Sequence, residues 1–184
     1  MGKILAERLG MQYFDREILD LAAKESGLSR DIFEKGDEKR GLFASVVRAA
    51  NSILVQGDVY RQPVSAARLF EIQAEVIRKA AEENNCVFLG RAADYVLRDH
   101  PKCLNVFISA DETDRIEVLT RDKGIDALAA KHLMEKVDSK RADFYNFYSG
   151  KKWGVASSYD LCLNTSVLGF ERCADIIISC LKDL

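Results

Sequence analysis

Gly90 and Arg91 form a glycine–arginine pair of the kind that can bind an anion at a turn of the chain, here called the corner. It follows CVFL, an unbroken apolar run typical of a strand that is buried on both faces of a parallel sheet, and Gly90 allows the backbone to turn sharply into a helix. Arg91 is therefore expected at the carboxyl edge of the sheet, where open α/β sheets bind ligands beside helix N-termini. A guanidinium at that edge suits a phosphate group. The alternative is a solvated arginine that merely follows a helix-starting glycine.

A second concentration of charge lies between residues 135 and 153. Its five cations stand out in a nearly neutral chain: Lys136, Lys140, Arg141, Lys151 and Lys152. Aromatic residues that could serve as apolar or stacking anchors alternate with them: Phe144, Tyr145, Phe147, Tyr148 and Trp153. Phosphoryl transfer depends mainly on positioning and on positive charge around the transferred group, so a mobile basic segment opposite Arg91 would suit that chemistry. The alternative is a surface helix whose cations pair with nearby carboxylates while the aromatic side chains pack inward.

The elements that would position these groups alternate between helices and short strands. Apolar periodicity and turn residues predict helices at 2–9, 16–26, 42–54, 66–83, from about 111, from about 125 into the basic segment, and at 169–183. The predicted strands are 12–14, 86–89, 104–109 and 159–164, and residues 56–65 are predicted to form a hinge loop. Asp15 is placed to cap the helix that follows it. Strands separated by helices predict an α/β fold in which a parallel sheet has helices on both faces.

Composition and charge limit the classes of protein that fit. The 184 residues, 48% of them hydrophobic and 30% charged, are typical of one soluble domain with a real core. A net charge of −2 argues against a broad nucleic-acid-binding surface. The five cysteines form no C-x-x-C pair, which suits a reducing compartment and gives no support for a protein-bound metal. No apolar run reaches the ~20 residues of a membrane helix and no secretory signal is evident, so we expect a cytoplasmic protein.

Three segments carry a resemblance to a known family. They are GRAADYVL at 90–97, VFISA at 106–110, and DSKRADFYNFYSGKKWG at 138–154 followed by YDLCLN at 159–164. Together they resemble the cytidylate kinase-like family of bacterial P-loop proteins, relatives of the nucleoside monophosphate kinases. The likeness runs from Gly2 to the C-terminus, and the KWG…YDLCLN ending is its most specific part. The resemblance implies a P-loop kinase fold, ATP with Mg²⁺ as phosphoryl donor, and a CMP-like or dCMP-like monophosphate as acceptor.

The resemblance also implies roles for seven residues. Those that correspond to the acceptor nucleotide-binding region are Asp15, Arg16, Arg91 and Asp94. Those that correspond to the catalytic lid, which closes over the phosphates and stabilises charge during transfer, are Lys136, Lys140 and Arg141.

The chain departs from the family pattern at two places. True cytidylate kinases place an aspartate directly after the glycine–arginine pair, whereas here Ala92 and Ala93 precede Asp94, so the acidic group is displaced around the helix start. A P-loop needs a buried strand and a glycine-rich turn that ends in a cation, and no segment of the 184 residues fits. The resemblance places residues 1–10 in the later part of the helix that follows the P-loop. In the family, a strand precedes the P-loop. The resemblance places that strand in the centre of the sheet, between the strands predicted at 86–89 and 104–108.

Two functions from different classes remain open from the sequence alone. One is a nucleotide kinase that transfers the ATP γ-phosphoryl group to a (d)CMP-like monophosphate and is inactive or weak in this form. The other is a non-catalytic nucleotide-binding or protein-interaction module derived from such a kinase. In both cases we expect a single domain over 1–184, with a helical acceptor-side insertion at 28–65 and a lid-like segment at 124–153. The expected partner is a nucleoside monophosphate rather than nucleic acid or membrane, and exposed sheet edges would favour a homodimer.

Overall fold

The computed structural model of the chain describes residues 1–33 and 65–182, which fall into two compact units. The first unit comprises Met1–Tyr13 and Asn84–Leu184, and the second comprises Phe14–Glu83. The predicted helix at 42–54, nearly all of the hinge loop at 56–65 and most of the insertion at 28–65 lie outside the described residues.

The described elements alternate between helices and strands, as predicted for an α/β fold. In chain order they are α1 (Gly2–Leu9), β1 (Gln12–Phe14), α2 (Glu17–Ser26), α3 (Ala66–Glu83), β2 (Cys86–Phe88), α4 (Ala93–Val96), β3 (Val106–Ser109), α5 (Glu112–Lys123), α6 (Ala127–Ser149), a 3-10 turn (Ala156–Ser158), β4 (Leu161–Asn164) and α7 (Thr165–Leu181). Most of them lie within a few residues of their predicted positions. The exception is the helix expected after Gly90, which is present as α4 but forms only a single turn.

The described strands form two separate two-stranded sheets. In one sheet β1 pairs with β2, and in the other β3 runs parallel to β4 with Val106 opposite Leu161 and Ser109 opposite Asn164. CVFL was expected to be buried on both faces, and this is wrong: β2 is half-buried, and Leu89, 50% exposed, lies beyond its end. The reason is that β2 and β3 each have one neighbour among the described strands rather than two. The break between them is where the family resemblance places a further strand.

A hydrophobic cluster in the first unit joins the helices to these strands. Its buried members are Leu5 of α1, Leu163 of β4, and Cys173, Ala174 and Ile177 of α7. Helix α1 contacts β2 and α7, while α7 also contacts β3 and β4, so the two helices cover strands of both sheets. On α7, Ala174 and Ile177 are buried and Ile178 and Leu181 pack against the cluster, so this face of the helix points into the core.

Helices α5 and α6 form a hairpin that carries the basic segment. Gly124 ends α5 in the left-handed conformation, and the Asp126 side chain caps α6 by accepting a hydrogen bond from the backbone N–H of Ala129 at 2.8 Å. Two ion pairs join the helices: Lys131 contacts Glu112 at 2.7 Å, and Arg115 contacts Asp138 at 2.7 Å.

In the second unit, α2 packs against α3. Asp15 does not cap α2 as expected, because Arg16 occupies the capping position and the Asp15 backbone N–H instead donates to the Glu17 carboxylate at 3.0 Å. Gln73 on α3 is 2% exposed, and within residues 1–33 and 65–182 its side-chain oxygen has no hydrogen-bond partner. A buried polar atom of this kind reduces stability.

Candidate functional site

The predicted corner after β2 is a left-handed turn of residues 90–92. The φ angles of Gly90, Arg91 and Ala92 are 71°, 59° and 50°, so three consecutive residues lie in the left-handed region. The Ala93 N–H closes the turn by donating to the Gly90 carbonyl at 3.1 Å. This conformation costs a residue with a side chain about 1–2 kcal/mol, and such strain persists only where the surrounding structure enforces it. Sequence reasoning identified Gly90 as the turning point but did not anticipate strain at Arg91 and Ala92.

The left-handed turn is held in place by the burial of residues at its C-terminal end and directly after it. Ala92 is 3% exposed, and Ala93, Val96 and Leu97 are also buried. Gly90 itself is exposed, and a methyl group added to it would meet nothing within 4 Å. The requirement for glycine at this position is therefore conformational rather than steric.

Arg91 lies at the carboxyl end of β2, as predicted, and its side chain is half-buried. A half-buried guanidinium interacts with an anion more strongly than one in bulk water, and its planar donors match a phosphate. The helix that follows was expected to favour an anion through its N-terminus. This expectation is wrong, because α4 has only four residues and therefore a weak dipole. Any phosphate affinity of this corner must rest on the guanidinium.

Asp94, the second residue of α4, is engaged by a buried tyrosine. The Tyr145 hydroxyl on α6 donates a hydrogen bond to the Asp94 carboxylate at 2.7 Å, and Tyr145 is 5% exposed. Burial, followed by the hydrogen bond to Asp94 and its negative charge, raises the pKa of Tyr145 well above its ordinary value. The phenol therefore stays protonated and keeps donating to the carboxylate.

Tyr145 belongs to an aromatic group that fixes the chain after α6. Its ring stacks on Tyr159 with centroids 5.8 Å apart, and Phe107 of β3 packs against Tyr159 at 5.0 Å and Trp153 at 5.3 Å. The Gly154 N–H donates to the Tyr159 hydroxyl at 3.3 Å. Sequence reasoning proposed Tyr145 and Trp153 as anchors, but it did not include Phe107 or Tyr159 and did not connect Tyr145 with Asp94.

The three cations predicted for the lid all lie on α6 but do not share a face. A helix turns about 100° per residue, so Arg141 lies about 40° from Tyr145, whereas Lys140 and Lys136 lie about 140° and 180° away. Arg141 contacts Asp138 at 3.3 Å, and Asp138 also binds Arg115 of α5. Lys136 and Lys140 are exposed. Arg141 therefore takes part in joining α5 to α6, and the two lysines face away from Tyr145.

Asp15 and Arg16 lie between β1 and α2. Arg16 is exposed and Asp15 is half-buried. Both residues belong to the second unit, whereas Arg91, Asp94 and the cations of α6 belong to the first.

Comparisons with known proteins concern the family and the fold of the chain. The model of the cytidylate kinase-like family matches residues 1–167. The crystal structure of an uncharacterized protein from Eubacterium ventriosum has a similar fold, with a TM-score of 0.73 and 24% sequence identity over 100% of this chain and 89% of that one. No curated protein sequence matches the chain. Because the family match spans nearly the whole sequence, this chain belongs to the cytidylate kinase-like family.

Proposed function

We propose that the chain binds a nucleoside monophosphate as the acceptor part of a nucleotide kinase, with a CMP-like or dCMP-like acceptor. The observation that carries the proposal is the left-handed turn of residues 90–92, which holds Arg91 at the carboxyl end of β2. Strained backbone at a ligand-binding edge is typical of a functional site. Family membership supports the nucleotide-kinase class but does not identify the acceptor base.

In this proposal Arg91 binds the acceptor phosphate through charge-assisted hydrogen bonds. For Asp15 and Arg16, an acceptor-side role remains a prediction from the family resemblance. Of the α6 cations that the resemblance assigns to the lid, Lys136, Lys140 and Arg141 are all exposed, and Arg141 also contacts Asp138. The basic part of α6 would act as the lid by bringing positive charge to the nucleotide.

The residues present do not fit the ATP and Mg²⁺ that the family resemblance implies. The 184-residue sequence contains no glycine-rich turn followed by Lys and then Ser or Thr, so it has no recognisable cradle for a triphosphate. Within residues 1–33 and 65–182, no three His, Cys, Asp or Glu side chains are arranged to hold a metal ion. We therefore derive no step through ATP or magnesium and confine the proposal to the acceptor side.

The missing cradle favours a second candidate, a nucleotide-binding or interaction module without catalytic activity. Both candidates require monophosphate binding at Arg91, and they differ in turnover. A cytoplasmic location is part of the proposal and is supported by the five free cysteines. No helix in the described part of the chain has both the length and the hydropathy needed to cross a membrane.

Calorimetric titration of the chain with CMP, dCMP, UMP, AMP and GMP tests monophosphate binding. Arg91→Ala should weaken binding by about 1.5–3 kcal/mol, roughly 10-fold to 150-fold in Kd, because a charged hydrogen bond is lost. Arg98→Ala is a matched control, since Arg98 is an exposed arginine nearby whose guanidinium lies 4.6 Å from the centre of the Tyr95 ring.

The control variant should bind like the wild type, within about twofold. Equal affinities of the Arg91→Ala variant and the wild-type chain would overturn the role of Arg91. Failure of the wild-type chain to bind any of the five monophosphates would overturn the proposed function itself.

A further inference from the structure

We propose that Asp94 and Tyr145 form a positioning pair that holds the left-handed turn of residues 90–92, so that Asp94 serves the acceptor by fixing Arg91 rather than by reading the nucleotide base. The inference rests on the proposed function and concerns how the same site selects its ligand. It predicts that this corner recognises the phosphate and contributes equally to the binding of nucleotides with different bases.

The geometry of α4 makes an outside anchor necessary. The helix has a single turn, and it begins directly after two residues with positive φ angles that carry side chains. Few helical hydrogen bonds are available to oppose this strain: Val96 donates to the Ala92 carbonyl at 3.0 Å, and Leu97 donates to the Ala93 carbonyl at 2.8 Å. The contact between Asp94 and Tyr145 joins this short turn to the 23-residue helix α6.

Tyr145 is suited to act as the fixed member of the pair. It is buried, its ring stacks on Tyr159, and its carbonyl accepts a hydrogen bond from the Ser149 hydroxyl at 2.6 Å. Tyr159 in turn packs on Phe107 of β3. The position of the turn is thereby tied to α6 and, through the rings, to β3.

The same contact limits what Asp94 can offer a ligand. One of its two carboxylate oxygens accepts the Tyr145 hydroxyl at 2.7 Å, a distance that leaves no room for a nucleotide base between them. Ala92 and Ala93 are small and buried. Asp94 follows them and lies on the side of the turn that contacts α6. Arg91, at the carboxyl end of β2, is the other charged group of the turn.

The first test is a titration of the 184-residue chain with CMP, UMP, AMP and GMP. Tyr145→Phe and Asp94→Asn should each raise Kd on the order of tenfold, as expected for loss of a charged hydrogen bond, and by the same factor for all four nucleotides. The double variant should be no weaker than either single variant. Tyr95→Phe is the matched control, because it removes a hydroxyl from the residue next to Asp94, and it should stay within about twofold of the wild type.

The Arg91→Ala background separates a positioning role from a general loss of structure. In that background Tyr145→Phe should leave Kd unchanged, because the pair acts through a guanidinium that is no longer there. A further loss of affinity would show that the pair acts by another route. A change in base preference in Asp94→Asn but not in Tyr145→Phe would mean that Asp94 reads the base, and it would overturn the inference.

Amide hydrogen exchange of the free protein tests the pair without any nucleotide. Tyr145→Phe and Asp94→Asn should speed exchange at Ala93, Val96 and Leu97 on the order of tenfold, whereas Tyr95→Phe should not. Unchanged exchange in the first two variants would overturn the inference even if monophosphates bind. If the wild-type chain binds no monophosphate, the proposed function fails, and the claim about ligand selection fails with it, whatever the exchange result.

Discussion

Replacing Ala92 by glycine is expected to leave the stability of the first unit almost unchanged, although Ala92 is buried. The substitution removes a buried methyl group, which contributes about 0.8 kcal/mol, and increases the freedom of the unfolded chain by about 0.4–1 kcal/mol. It also relieves the left-handed backbone at φ 50°, a gain of about 1–2 kcal/mol. These effects nearly cancel, so the free energy of unfolding should change by less than about 1 kcal/mol.

Ala93→Gly provides the matched comparison. Ala93 is also buried, but it is the first residue of α4 and does not have a positive φ angle. Replacing Ala93 by glycine also removes a buried methyl group and increases the freedom of the unfolded chain, but it relieves no backbone strain. The free energy of unfolding should therefore fall by about 1.2–1.8 kcal/mol. The Ala93→Gly variant should therefore be about 1–2 kcal/mol less stable than the Ala92→Gly variant, roughly 2–8 °C in Tm for a chain of this size.

Urea unfolding followed by fluorescence of the single tryptophan measures this difference. Trp153 packs against Phe107 in the same unit as both alanines, so its emission reports on the unfolding of that unit. Equal losses for the two variants would refute the reasoning, because they would show that Ala92 is not under left-handed strain.

The remaining predictions concern the second unit, the basic segment and turnover. Gln73→Leu should raise the free energy of unfolding by about 1–3 kcal/mol in urea titrations followed by circular dichroism, because it removes a buried oxygen that lacks a partner; a decrease would mean that Gln73 has a partner in solution. Hydrogen exchange in the part of the basic segment before the Tyr145 anchor, residues 135–144, should slow when a bisubstrate-like nucleotide is added, because closure would order it; unchanged exchange at saturation would favour a fixed, salt-bridged helix. The 184-residue chain should show little or no phosphotransferase activity in a coupled assay with ATP, Mg²⁺ and CMP or dCMP, because it lacks a triphosphate cradle. Robust turnover would mean that the donor site lies elsewhere in the chain.

The sequence predicted the position of the corner but not its conformation. Glycine after an apolar run is a strong indication of a sharp turn, and the structure confirms one at Gly90. Alanine and arginine have no preference for positive φ, so no local pattern predicts the strain at Arg91 and Ala92. That conformation depends on tertiary contacts, including the burial of Ala92.

The basic segment shows a second limit of sequence reasoning. Apolar periodicity predicted a helix from about residue 125 into this segment, which is confirmed as α6, but the charges of the segment do not say which face is buried. The buried residues of α6 that define this face are Ala130, Met134 and Tyr145. Only when the face is known does it become clear that Arg141 lies near Tyr145, whereas Lys136 and Lys140 lie on the opposite side of the helix. The pairing of Tyr145 with Asp94 joins residues 51 positions apart, and no periodicity within one element could have indicated it.

Burial of the strands could not be predicted from their composition. An unbroken apolar run indicates a strand that is buried on both faces of a sheet, as was expected for CVFL. The described strands instead form two pairs, so β2 and β3 are only half-buried. Composition shows that these segments are suited to the centre of a sheet, whereas pairing decides whether they lie there.

The most direct test of the central claim is nuclear magnetic resonance of the Arg91 guanidinium. In a chain with ¹⁵N-labelled arginine, the Nε–H signal of Arg91 is assigned as the one that disappears in the Arg91→Ala variant. Addition of CMP should shift this signal, inorganic phosphate should shift it in the same direction, and cytidine without a phosphate should leave it unchanged. An unchanged Arg91 signal while calorimetry shows saturation with CMP, or an equal shift with cytidine, would contradict the claim that Arg91 binds the acceptor phosphate.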